Sequence, residues 1–184
     1  MRDQRRRLDP VERARLSARV CHALIATGAF RRARRVAAYL PKGGEVDLSR
    51  LVTQAWSRCK RCYLPVVHRG QLRFLPFEPD TPLRPNRFGI PEPSVPLRRQ
   101  VAALTIDLVI VPLVAFDGQG NRLGMGGGYY DRTFAFAGRR RRWRRPLLIG
   151  AAYGWQRVPA LPSTPWDVPL HGVATETGVE WFTA

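Results

Sequence analysis

The stretch Ile106-Asp107-Leu108-Val109-Ile110-Val111-Pro112 constrains the fold more than any other part of this 184-residue chain. Beyond Asp107 it is apolar at consecutive positions, so an extended strand here must hide both of its faces from water. Strands of that kind occupy the interior of mostly parallel sheets whose two sides are covered by helices. The run is therefore expected at the centre of such a sheet.

The flanking segments fit this architecture. After Asp9-Pro10, a capping aspartate followed by a first-turn proline, residues 11–27 read as an amphipathic helix with Leu16, Val20 and Leu24 on one face, ended by Gly28. Residues 35–40 read as a strand, 41–44 as a turn, and 46–58 as a second helix with Leu48, Leu51, Val52 and Ala55 inward. A strand follows at 62–67, and the alternating segment 72–77 reads as a sheet edge or hairpin arm. The proline-rich segment 78–96 shows no helical or strand period and is expected as an ordered loop crossing one face. A helix at 130–136 and a buried strand at 147–153 come next, and Val173-Ala174-Thr175 closes the sheet. These elements predict one domain over 1–184, a three-layer α/β/α sandwich with a mostly parallel central sheet. Residues 1–7 are expected as a basic N-terminal segment free to move, and 138–146 as an arginine-rich connection.

Composition narrows the partners. The 31 basic and 14 acidic residues give a net charge of +17, and every basic residue except Lys42 and Lys60 is arginine. Such a chain attracts anions, whether nucleic acid, nucleotides or small polyanionic substrates. No helix-turn-helix, zinc-finger or RNA-recognition pattern is visible and the arginines are scattered, so nucleic acid is not the expected partner. No apolar run reaches the roughly 20 residues that cross a bilayer, and Met1 to Arg7 lacks the hydrophobic stretch of a signal peptide, so the cytoplasm is the expected compartment. The odd count of three cysteines fits reduced thiols. Cys59 and Cys62 have metal-site spacing, but with His68 alone they leave a tetrahedral site incomplete, and packing roles are expected.

The chemistry is concentrated in Arg122-Leu123-Gly124-Met125-Gly126-Gly127-Gly128-Tyr129-Tyr130-Asp131. In open α/β sheets, loops of this kind lie at the carboxyl ends of strands, where ligands bind. Glycines let backbone N–H groups approach phosphate oxygens, and a helix beginning near Tyr129 adds its positive end. The loop is not a P-loop, because the Gly-Lys-Ser/Thr ending is absent and no lysine occurs beyond residue 60. Arg122 is the nearest fixed cation. Asp131, with Asp167 from Pro165-Trp166-Asp167-Val168-Pro169, has the chemistry to share one magnesium ion. The alternative is a glycine hairpin in which Tyr129 and Tyr130 are packing aromatics.

These segments together resemble the 5-formyltetrahydrofolate cyclo-ligase family, also called methenyltetrahydrofolate synthetase. The resemblance rests on residues 107–112, on Ala115-Phe116-Asp117, and on the glycine-rich run from Arg122 to Asp131. It extends to Tyr39-Leu40-Pro41-Lys42-Gly43-Gly44-Glu45-Val46-Asp47, to Gly150-Ala151-Ala152-Tyr153 with Gln156, and to Leu161-Pro162 and Trp166-Asp167-Val168-Pro169-Leu170. It implies a fold related to sugar-phosphate isomerases and coenzyme A transferases. The implied reaction is ATP-dependent conversion of 5-formyltetrahydrofolate to 5,10-methenyltetrahydrofolate, ADP and phosphate, through a phosphorylated iminium closed by N10. The resemblance assigns ATP contacts to Arg122, Leu123, Gly124, Met125, Gly126, Gly127, Gly128, Tyr129 and Tyr130. It assigns folate contacts to Leu40, Glu45, Met125, Gly126, Gly127, Gly128 and Tyr129, and Mg2+ to Asp131 and Asp167. Arg122 and Tyr130 are the expected residues at the reacting centre.

Two departures from the family pattern stand out. Gly127 replaces a lysine present in some members, and the basic helical turn that touches ATP upstream of Leu8 is represented here only by Arg2, Arg5, Arg6 and Arg7. The run Gly138-Arg139-Arg140-Arg141-Arg142-Trp143-Arg144-Arg145-Pro146 reads first as a solvated connection. Its sharper reading is a docking site for the acidic tails of polyglutamylated folates. A nucleic-acid-binding module, or an ATP-independent sugar-phosphate isomerase or coenzyme A transferase on the same fold, is the competing class.

Overall fold

Residues 2–7 already form a helix, α1 (Arg2–Arg7), and Arg5 on it is buried. The basic N-terminal segment is thus helical, with one of its side chains buried. The computed structural model describes residues 1–86, 89–139 and 146–182. The arginine run expected as a connection or polyglutamate site falls, for residues 140–145, outside the described residues.

Asp9 accepts hydrogen bonds from the N–H groups of Val11 (2.9 Å) and Glu12 (3.1 Å), starting α2 (Pro10–Ala26). Its end is set by Thr27 rather than Gly28. The Thr27 hydroxyl donates to the Leu24 carbonyl (2.7 Å) and accepts from the Phe30 N–H (3.0 Å), so one side chain closes α2 and opens α3 (Gly28–Arg32). β1 (Arg35–Ala37) follows, then α4 (Ser49–Ser57), which starts later than its apolar pattern indicates because Asp47 accepts from the Ser49 N–H at 2.8 Å. The hairpin of β2 (Arg61–His68) and β3 (Gln71–Pro76) comes next.

Within the proline-rich segment, β4 (Leu83–Pro85) and β5 (Pro91–Pro93) pair antiparallel, a small sheet that its prolines had masked. Glu92 fastens it to β2 by accepting from the Val67 N–H at 3.1 Å. The chain then runs through β6 (Leu108–Pro112), β7 (Ala115–Phe116), β8 (Arg122–Leu123), α5 (Tyr129–Arg139), β9 (Leu147–Ala151), β10 (Gly172–Thr175) and β11 (Gly178–Trp181).

The main sheet has the order β11-β10-β9-β6-β1-β2-β3, which places β6 in the middle, as its apolar run requires. The five inner strands are parallel, and β3 and β11 run antiparallel at the two edges. The sheet is closed by β11, not by residues 173–175. Leu108 and Ile110 enter the core shared with α2, α3 and α4, whereas Val109 and Val111 enter the core against α5. This alternation is why a continuous apolar run was needed. Among the described residues the second helical layer is α5, whose Phe134 is fully buried. Also among them, no helix is long and apolar enough to cross a membrane.

Ile110 has no solvent exposure. Ile110→Ala is expected to lower stability by about 2–5 kcal/mol, read as a shifted urea midpoint with unchanged slope.

Candidate active site

Parallel strands put their carboxyl ends on one edge, and there the sheet's hydrogen bonding runs out. Past the end of β6, the Leu113 carbonyl accepts from two side chains, Arg5 Nη1 (3.0 Å) and Gln156 Nε2 (3.1 Å), and Gln156 Nε2 also reaches the Val114 carbonyl at 2.9 Å. Arg5 is 3% exposed. Its Nε donates to the Gly43 carbonyl (3.1 Å) and its Nη2 lies 3.6 Å from Glu45 Oε1. A buried guanidinium is tolerated only with such partners. Gly44 makes the approach possible: it has φ +80°, and a Cβ there would collide with the Arg5 carbonyl oxygen.

Glu45 stands opposite this cation at the end of the turn after β1. Burial raises its carboxyl above the ordinary glutamate range, against the lowering effects of the Lys42 N–H, which donates to Oε2 at 3.1 Å, and of the Arg5 and Lys42 charges. Leu40 lies half-buried just before this turn. Tyr39 is buried, and among the described residues its hydroxyl has no hydrogen-bond partner. Burial holds the Tyr39 phenol well above its usual range, and the Glu45 charge adds to the effect.

The second wall is built from the β7–β8 hairpin. Asp117 closes it, accepting from the N–H groups of Gln119 (2.9 Å), Asn121 (3.0 Å) and Leu161 (3.0 Å) and from the Asn121 side chain (2.9 Å). Burial would raise its carboxyl, but these donors outweigh burial and hold it below the usual carboxylate range. The hairpin delivers Arg122 and Leu123 to the glycine loop. Gly126 and Gly128 have positive φ, and a Cβ at Gly124 or Gly126 would meet only open space. The loop thus presents bare backbone beside the N-terminus of α5.

Arg122 and Asp131 lock this loop to the third wall. Arg122 Nη2 donates to Asp131 Oδ1 at 2.6 Å, Arg122 Nη1 donates to the Val168 carbonyl, and the Val168 N–H donates to Asp131 Oδ1 at 3.1 Å. Arg122 is therefore shared between structure and any ligand. Asp167, next to Val168, accepts from the N–H (2.7 Å) and hydroxyl (2.8 Å) of Thr164 through Oδ2. Each aspartate keeps one carboxylate oxygen without a hydrogen bond among the described residues. That donor set fits Mg2+, which takes one or two carboxylates and completes its shell with waters and phosphate oxygens.

Tyr130 stacks on Phe134 with centroids 6.3 Å apart. Burial, with the Glu45 charge, raises its phenol far above neutral pH, so it stays protonated. Glu45 lies within electrostatic reach of both Tyr39 and Tyr130, so the turn after β1 comes close to the start of α5. Tyr129 carries the Arg132 guanidinium 5.1 Å above its ring, and Arg132 also bonds the carbonyls of Gly127 (2.7 Å) and Gly70 (2.8 Å). Met125, Leu123 and Trp166 are exposed apolar side chains on these loops. Sequence reasoning passed over Arg132 and Tyr39 and did not separate Arg5 from Arg2, Arg6 and Arg7. Only the packing of α1 against Gly44 singles out Arg5.

The sequence matches the 5-formyltetrahydrofolate cyclo-ligase family over residues 1–176. The chain belongs to this family of enzymes. A family relative from Haemophilus influenzae is 41% identical over 148 residues, 78% of this chain and 76% of its own length. The 5-formyltetrahydrofolate cyclo-ligase of Escherichia coli is 37% identical over 187 aligned residues, covering 98% of this chain and all of the relative. A solved structure of Aquifex aeolicus 5,10-methenyltetrahydrofolate synthetase superposes with TM-score 0.83 at 34% identity, over 100% of this chain and 89% of that one. The family match begins at residue 1, so it includes α1 and its buried arginine.

Arg5→Ala removes a buried cation from Glu45 and from two carbonyls and is expected to cost about 3–5 kcal/mol in urea unfolding. Arg6→Ala, a change in an exposed neighbour, is expected to stay within about 0.5 kcal/mol.

Proposed function

We propose that the chain converts 5-formyltetrahydrofolate and ATP to 5,10-methenyltetrahydrofolate, ADP and phosphate. The observation that carries this reading is the facing of two unlike walls. A loop of bare glycine backbone at a helix N-terminus suits a triphosphate, and the half-buried carboxylate of Glu45 suits the hydrogen-bond donor edge of a pterin. The two folates are those in the names of the relatives, 5-formyltetrahydrofolate cyclo-ligase and 5,10-methenyltetrahydrofolate synthetase.

Such a reaction demands alignment and charge neutralisation more than a strong protein base. The formyl oxygen forms a bond to the γ-phosphorus of ATP as the bond to the β-γ bridging oxygen breaks, releasing ADP. N10 then attacks the formyl carbon and loses its proton, and the C–O bond breaks with its electrons leaving on phosphate. The N–H groups of residues 124–128, with Arg122, would hold the phosphates in line. Tyr130, kept protonated, would donate to an oxygen and exclude water beside the reacting centre. Glu45 and the half-buried Leu40 would fix the folate ring, with Met125 and Tyr129 on its other side, and Tyr39 would offer its unpartnered hydroxyl. Asp131 and Asp167 would hold Mg2+, which when bound neutralises phosphate charge.

The test is growth of the methenyl-folate absorbance with 5-formyltetrahydrofolate and MgATP. No signal, or a signal independent of ATP, sinks the reading. Arg122→Gln is expected to lower kcat/KM by about 100-fold or more, since it removes a phosphate cation and unties the loop from Val168.

The pH dependence follows from Glu45. Its raised folded-state value means that acidification protonates it at a pH where an ordinary glutamate is still ionised. Folate affinity is therefore expected to weaken as pH falls through that value, measured as KM or by direct titration. Glu45→Gln should bind more weakly at neutral pH and lack this acid limb.

A further inference from the structure

The opposite edge of the sheet, where the parallel strands begin, carries a second concentration of charge. A cleft of about 870 Å3 opens there between the end of α3, the start of β1 and the turn from α4 into β2. Arg31, Arg32, Arg34, Arg35, Arg58 and Arg61 line it from these separate segments. Lys60 is spent on structure, donating to the carbonyls of Arg31 (3.0 Å) and Ala33 (2.6 Å) and so joining the two walls. Among the described lining residues Asp107 is the one carboxylate, and its Oδ2 accepts from the backbone N–H groups of Arg34 (2.8 Å) and Arg35 (3.0 Å). The guanidinium groups therefore outnumber the negative charge that faces them.

Shape and side-chain type indicate what such a cleft takes. A concave surface of one sign focuses its field and concentrates counter-ions. Guanidinium forks match phosphate oxygens two at a time. Arg58 is steadied over the buried ring of Phe30, 5.7 Å from its centroid, which limits the freedom it would lose on binding. Among the described lining residues there is no aromatic ring on which a nucleic-acid base could stack, the usual partner of a basic groove in single-strand binding. From Asp107 to Leu113 the central strand separates this cleft from the catalytic edge by about 20 Å. We propose that the cleft is a second anion site, distinct from the catalytic one, which binds a compact chain of condensed phosphates.

Cys59 supplies a local reporter. It lines the cleft and is exposed, whereas Cys21 and Cys62 are buried. The rate at which neutral N-ethylmaleimide modifies Cys59 in the full-length protein is followed by intact mass, with and without inorganic tripolyphosphate at low salt. Tripolyphosphate is expected to slow the modification severalfold, and high salt to restore it. Arg58→Gln and Arg61→Gln, changes in exposed side chains, are each expected to weaken this protection about tenfold while leaving cyclisation unchanged. Arg122→Gln, at the far edge, should leave the protection intact. ATP protecting as well as tripolyphosphate identifies the phosphate chain as the recognised part, and ATP protecting better identifies a nucleotide source. Either supports the site. It is overturned by absent protection, by protection indifferent to both cleft substitutions, by its loss in Arg122→Gln, or by a single-stranded RNA that protects at lower phosphate concentration than tripolyphosphate.

Discussion

The carbonyl of Leu113, where the central strand leaves the sheet, is the point on which the carboxyl edge of the sheet depends. A backbone carbonyl buried beyond the end of a ladder must find donors elsewhere. Here one donor is a side chain from the first helix and the other comes from the segment after β9. The first is a charged guanidinium with 3% exposure, so it in turn requires the Gly43 carbonyl and Glu45. Satisfying one acceptor therefore draws together α1, the turn after β1, the exit of β6 and the segment after β9. The wall that carries Glu45 is a by-product of that requirement. Tyr153 reinforces the junction through its hydroxyl, 3.3 Å from the Gly44 carbonyl.

The glycine loop is held on a different principle. Its own residues contribute little packing, and its position is inherited from the structures at either end. Asp117 fixes the hairpin before it with a full set of N–H donors, and Asp131 anchors the helix after it through Arg122 and Val168. Arg132 fastens the Gly127 carbonyl from below. A backbone surface of this kind is tied at its ends and open at Gly124 and Gly126. The sharing of Arg122 with Asp131 and Val168 has a consequence for charge. Only part of its guanidinium is left to face a ligand, and backbone amides, the α5 terminus and an Mg2+ held by Asp131 and Asp167 would have to supply the rest.

Much of this was legible from residue type and spacing, for physical reasons that also explain what was not. The centrality of β6 could be read because a strand buried on both faces demands an uninterrupted apolar run, and Leu108 to Val111 supply it with two side chains to each core. The glycine loop could be read because a missing Cβ is itself the functional property. Hidden from the sequence were features that depend on distant partners. Edge strand β11 is four residues long and none of its side chains is fully buried, so it has no strong period, and it exists because β10 offers it a ladder. β4 and β5 are strands despite their prolines because Glu92 pins them to β2. α1 is six residues long and polar, too short to be stable alone, and its order comes from one buried side chain.

The same limit governs the reading of charge. A net charge of +17 on a chain with arginines throughout its length says only that anions are attracted. Folding puts some of the described arginines into quite different physical states. Arg5 is buried and fully engaged, so it acts as a structural tie. Arg122 and Arg132 are divided between tying loops and facing the site. The group at the amino ends of β1 and β2 is concave, exposed and under-compensated by the single Asp107 among the described lining residues. Parallel strands make this separation possible, because they give the sheet two chemically unlike edges. The carboxyl edge gathers loops that expose backbone, and the amino edge is left to charged side chains.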